Sequence, residues 1–142
     1  WEVAVDDTTA RVRGVDSTQG VGEARAAAIA LARYTGGAVA VSGVDDLVTD
    51  GTVVARSHGG SHFMAKITGS GCSLGGVAAV YSTMAPSPFT AALTAVNAYN
   101  LAGSRAERRV DGPGSFQVAF LDELYKASAE DIAHNPFELE EA

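Results

Sequence analysis

Positive charge, cysteine and long apolar runs are scarce in this chain, and each scarcity removes a class of function. Ten Lys and Arg stand against seventeen Asp and Glu, for a formal net charge of −7, and Arg105, Arg108 and Arg109 form the only dense basic group. Binding to a nucleic-acid backbone needs a basic face that displaces counterions, so nucleic acid is not an expected partner. An anionic small molecule must be held locally, by backbone N–H groups, a helix N-terminus or a metal, because the global field repels it. The single cysteine, Cys72, cannot close an internal disulfide. No apolar run reaches the roughly 18 residues of a membrane span, so a membrane is not an expected partner and the expected setting is a reducing cytoplasm. The chain opens on Trp1 with no basic-then-apolar targeting segment, and it reads as a piece of a longer protein.

Glycine, in contrast, is plentiful. Sixteen glycines in 142 residues exceed the usual share of about 7%, so tight turns and close backbone approaches are expected. A hydrophobic fraction of 46% suits an α/β domain, and the length suits one domain with a sizeable core.

Spacing divides the chain into elements. Glu23 to Tyr34 is alanine-rich and helix-prone, with Asp16, Ser17 and Thr18 as candidate caps and Gly36-Gly37 as the stop. The short β-branched run Ala38 to Ser42 reads as a buried strand, and helix followed by such a strand predicts a parallel crossover. Thr49-Asp50-Gly51 between Val44–Val48 and Thr52–Arg56 predicts an antiparallel hairpin. After a flexible His58 to His62 stretch and Phe63–Ile67, the turn Thr68-Gly69-Ser70-Gly71-Cys72 leads into a small, apolar, helix-compatible segment, Ser73 to Met84. A second long helix is expected over Phe89–Arg108. Gly112 to Phe116 forms a turn into a third over Gln117–Lys126, whose apolar residues share one face. The acidic tail, 128–142, is expected to fray or dock loosely.

The chemistry concentrates at Lys66 to Gly76. Gly69 and Gly71 permit backbone conformations closed to other residues and let a ligand approach the main chain. Several N–H groups then point at one anion, and the helix dipole places about half a positive charge there. Cys72, in the first turn, sits where that field favours thiolate over thiol, as a proton acceptor beside phosphate requires. On spacing alone two readings stand: a phosphate seat with a general base, or a packing turn with a small inert cysteine.

Five separated segments occur together in register: Arg13-Gly14-Val15-Asp16-Ser17, the strand end Val39 to Gly43, Thr49-Asp50-Gly51, Lys66 to Cys72, and Gly112 to Phe116 with Phe120 to Tyr125. In this order and spacing the chain, from about residue 11 to residue 126, resembles the C-terminal half of hydroxyethylthiazole kinases of the ribokinase-like superfamily. The resemblance implies a three-layer α/β fold with a mostly parallel sheet, an antiparallel edge hairpin and flanking helices, residues 1–142 forming one partial domain. It implies ATP- and Mg²⁺-dependent phosphorylation of 4-methyl-5-(2-hydroxyethyl)thiazole in thiamine biosynthesis or salvage. It assigns Cys72 as the base, in place of the aspartate of most relatives in the superfamily. Gly69 falls at the substrate, and Thr68, Gly69, Ser70 and Gly71 fall around the nucleotide phosphates. Ser42 falls near ATP, where the family more often has threonine. The family is usually a homotrimer, and its Mg²⁺-organising and main thiazole-contacting residues belong to the half not represented here. The alternatives are a catalytically silent fragment that binds nucleotide or pairs with partner subunits, and a related kinase of another small alcohol, such as a hydroxymethylpyrimidine.

Two further groups have simpler readings. His58 and His62 are four apart, but Gly59-Gly60 between them opposes a helix, so a mobile loop is expected rather than a metal site. Asp45, Asp46 and Asp50 read as turn formers rather than a carboxylate cluster.

Overall fold

The computed structural model of the protein describes residues 21–142, so the Arg13–Ser17 motif and the candidate caps Asp16, Ser17 and Thr18 lie outside the described residues. The elements are α1 (Val21–Thr35), β1 (Val39–Val41), β2 (Asp46–Thr49), β3 (Val53–Ser57), a 3-10 turn (Met64–Lys66), α2 (Ser70–Ser82), α3 (Pro88–Glu107), α4 (Pro113–Lys126), α5 (Ala129–Ala133) and β4 (Phe137–Glu141). The alanine-rich α1 stops at Gly36, whose φ of 67° lets its N–H reach the Ala32 carbonyl at 2.9 Å. α3 begins where Ser87 caps the Thr90 N–H and Pro88 occupies the first turn, where its missing donor costs nothing.

The four strands lie side by side in chain order, and every described pairing is antiparallel. This corrects the expectation of a mostly parallel sheet. A three-residue apolar run carries no information about its neighbour, and β1 turns back directly onto β2, with Val41 opposite Leu47. The hairpin around Thr49-Asp50-Gly51 forms as expected. Asp50 Oδ1 accepts hydrogen bonds from the N–H groups of Val53 and Thr52, at 3.0 and 2.8 Å, which hold its carboxyl below the usual range.

The central strands β2 and β3 are covered on both faces, which makes β2 buried along its whole length, while β4 at the edge is exposed. Leu47 and Val54 pack against Ala28 and Ile29 of α1, while Val48 and Ala55 pack against Val96 of α3. Two neighbouring residues of each strand thus face opposite layers, as the pleat requires. A third apolar block lies beyond the sheet. Tyr99, Ala102 and Ala106 of α3 meet Phe116 and Phe120 of α4, with Phe63, Ile67 and Leu74 against them.

The acidic tail is not frayed. Ser128 and Asp131 close a capping box at the start of α5, and Arg105 binds the Asp131 carboxylate at 3.0 Å and holds its pKa down to about 2. β4 then adds to β3, with Leu139 opposite Ala55. Glu140 carries its charge between Arg25 and Arg56, at 3.2 and 3.4 Å, partners far away in sequence.

Candidate functional site

The glycine-rich bend is built by three local events. After the 3-10 turn the chain extends at Ile67, Gly69 adopts φ 87° and ψ 2°, and α2 begins at Ser70. That left-handed conformation costs an L-residue with a Cβ about 1–2 kcal/mol, which accounts for glycine at position 69. Ser70 Oγ donates to the Met64 carbonyl at 2.9 Å and ties the first helical residue back to the 3-10 turn. A Cβ added at Gly69 or Gly71 would meet nothing within 4 Å, so the surface above the bend is open.

The first backbone bond of α2 runs from the Ser73 N–H to the Gly69 carbonyl at 2.9 Å. Ahead of it, the N–H groups of Ser70, Gly71 and Cys72 have no protein partner among the described residues. These are the orphan donors of a helix N-terminus, and no side chain caps them. Thr68, Gly69, Gly71 and Cys72 are exposed, and the Cys72 thiol is free. One short segment therefore gathers three unengaged donors, the positive end of a helix dipole and an accessible sulfur. The segment is neither entombed nor spoken for.

Ser42 stands just past the carboxyl end of β1, exposed. β1 and β3 both run antiparallel to β2, so they share a direction, and their carboxyl ends lie at one edge of the sheet. The loop bearing Ser42 and the segment leading to the bend leave the sheet from that same edge. Among the described residues, no hydrogen bond joins Ser42 to the bend. The loop at Ser42 is set by Asp46, whose Oδ1 accepts from the Gly43 N–H at 2.9 Å. Burial pushes the Asp46 carboxyl up, against the hydrogen bonds from Gly43 and Asn100 that favour its charged form.

Between these segments the structure holds a buried polar cluster that sequence reading missed. Ser57 Oγ donates to Asn97 Oδ1 at 2.6 Å and accepts from the Asn100 amide at 2.9 Å, and the Asn135 amide donates to the His58 carbonyl at 3.1 Å. The signal was present as Asn97 and Asn100, three apart on an otherwise small and apolar helix. Their shared partner, Ser57, lies 40 and 43 residues away. Beside the cluster, the His58–His62 loop makes several hydrogen bonds to the rest of the fold. The Gly60 N–H bonds the Asn100 carbonyl at 2.9 Å, His58 meets Asp45 at 3.2 Å, and His62 meets Glu107 at 2.5 Å.

Among the described residues, no group of three or more His, Cys, Asp or Glu could hold a metal ion, and no helix is long and apolar enough to cross a membrane. Two concavities among the described residues lie elsewhere. One lies between α3, α5 and β4, lined by Phe89, Leu93, Ile132 and Phe137, and the other between the end of α1 and the start of α3. Neither is lined by the bend.

Comparison with known proteins bears on this geometry. Residues 3–130 match the model of the hydroxyethylthiazole kinase family. Hydroxyethylthiazole kinase of Bifidobacterium longum (strain DJO10A) is 49% identical over 148 aligned positions, covering 94% of this chain and 47% of the relative. The enzyme of the same name from Methanocella arvoryzae is 37% identical over 125 positions, covering 88% of this chain and 47% of that one. Among solved structures, hydroxyethylthiazole kinase from Pyrococcus horikoshii OT3 superposes with a TM-score of 0.75 at 26% identity, over 86% of this chain and 47% of its own. The chain spans about half the length of the curated relatives it matches.

Proposed function

The chain belongs to the hydroxyethylthiazole kinase family and carries about half of its ribokinase-like α/β fold, and from that premise we propose that it supplies the phosphate seat and the proton acceptor of an ATP-dependent kinase acting on the hydroxyethyl group of 4-methyl-5-(2-hydroxyethyl)thiazole. The observation that carries the reading is the row of unengaged N–H groups on Ser70, Gly71 and Cys72 beside the exposed thiol of Cys72.

In this reading the γ-phosphoryl group of ATP rests on those three amides, with Thr68 and Gly69 at the rim and Ser42 toward the rest of the nucleotide. Charge spreading over the equatorial oxygens during transfer meets fixed dipoles, which need no reorganisation as the reaction proceeds. The substrate hydroxyl oxygen, placed over Gly69, forms a bond to phosphorus while the bond to the ADP oxygen breaks. The hydroxyl proton passes to Cys72 Sγ. In this reading Mg²⁺ would accompany the nucleotide phosphates, held by residues of the half of the fold not represented here.

Helix α2 explains why the chain should act as part of something larger. It holds no charged residue and buries none of its thirteen, whereas a helix apolar all round is normally covered. We place the remaining half of the fold, and neighbouring subunits of a homotrimer, over this open side. Residues 1–142 are then one partial domain, silent alone. Transfer of radiolabel from [γ-³²P]ATP to the thiazole alcohol tests the reading: the full-length protein should turn over, and the isolated chain should not. A full-length protein that phosphorylates a hydroxymethylpyrimidine in preference to the thiazole would contradict the substrate assignment.

A further inference from the structure

We infer that Tyr99 is a positioning residue for the phosphate seat, aiming the amides of the bend through Ser73 without touching a ligand; the inference rests on the seat proposed above. Tyr99 comes from the middle of α3 and is buried, with its ring edge-on to Phe120 at a centroid distance of 5.1 Å. Its hydroxyl donates to Ser73 Oγ at 2.8 Å. Ser73 Oγ in turn reaches the carbonyl oxygens of Gly69 and Ser70, at 2.9 and 3.0 Å.

Those two carbonyls belong to the peptide groups whose N–H donors are Ser70 and Gly71. A peptide group is planar and trans, so holding its oxygen in one direction aims its N–H in the opposite one. The chain from Tyr99 to Ser73 to the two carbonyls therefore fixes the direction of two of the three seat donors from the far side of the helix turn. Such a brace matters here because Gly69 and Gly71 contribute no side chain to packing and carry the largest conformational freedom of any residue. Pre-orienting them removes an ordering cost that a phosphate would otherwise meet on binding.

The hydroxyl has no other partner among the described residues. The remainder of the ring sits in an apolar block with Phe116 and Phe120. Phenylalanine would fill that place equally well, so packing alone does not account for tyrosine at position 99.

The test uses the lone cysteine of this chain as reporter. Iodoacetamide alkylation of Cys72 is followed in the presence of increasing inorganic tripolyphosphate, with the thermal midpoint of each protein measured alongside. In the unsubstituted chain tripolyphosphate should slow alkylation saturably. Tyr99→Phe should need about fivefold more of it, the size of one lost neutral hydrogen bond, with a midpoint close to the parent's. Ser73→Ala should behave alike, and the double substitution should be no worse than Ser73→Ala alone, because both act on one path. Ser73→Thr, whose hydroxyl reaches the same carbonyls, should restore protection. Equal protection of the parent, Tyr99→Phe and Ser73→Ala would overturn the brace while leaving the seat intact. Absence of protection in the parent itself would remove the seat, and the brace with it.

Discussion

Replacing Cys72 by alanine in the full-length enzyme is expected to lower kcat about 10²–10⁴-fold, the range of a lost general base, with nucleotide affinity almost unchanged. Alanine keeps the backbone N–H of residue 72 and suits a helix, so the three donors and the dipole remain in place. Position 72 is exposed, so no cavity is left behind. In the proposed role only the acceptor for the substrate proton is lost, an interaction needed in the transition state rather than in the bound ground state. kcat and kcat/KM should then fall together. A steady-state assay across ATP concentrations reads both, and an unchanged kcat would remove the sulfur from the chemistry.

The second large effect is on stability. Phe116 is fully buried, with its ring 5.5 Å from Phe63 and 5.9 Å from Phe120. Phe116→Ala should cost about 3–5 kcal/mol through lost transfer energy and the void left behind. Against a typical total of about 5–15 kcal/mol this brings the fold close to unfolding. The void opens in the same block that carries Phe63, Ile67 and Leu74, the residues on either side of the bend. The seat should therefore loosen before the chain unfolds globally. Val118, two residues along on the opposite, outer side of α4 and 64% exposed, is the control, and Val118→Ala should shift stability by no more than about 0.5 kcal/mol. Urea midpoints of the two variants settle the matter, and equal midpoints would contradict the packing described.

What the sequence disclosed was local. Helix α1 followed from its alanines and its glycine stop, the hairpin from Asp50-Gly51, and the bend from Gly69, whose conformational freedom is a property of the residue itself. What it concealed was pairing at a distance. Val39-Ala40-Val41 has the composition of a strand whichever strand adjoins it, so its direction relative to β2 was not legible. The tail looked like solvated acid because Glu138, Glu140 and Glu141 dominate it. Arg25 and Arg56, which receive Glu140, are 115 and 84 residues away. Likewise nothing local ties Tyr99 to Ser73 or Asn100 to Ser57, 26 and 43 residues away, which the fold brings against them.

In the proposed enzyme, phosphate meets this chain at the amides of Ser70, Gly71 and Cys72. Titration of the ¹⁵N-labelled protein with ATP, followed through the backbone amide resonances, tests that most directly. The Ser70, Gly71 and Cys72 amides should shift together and saturate, while Gly36 and Gly37 at the carboxyl end of α1 stay in place. Unmoved resonances at Ser70 to Cys72, with shifts elsewhere at the same ATP concentration, would contradict it.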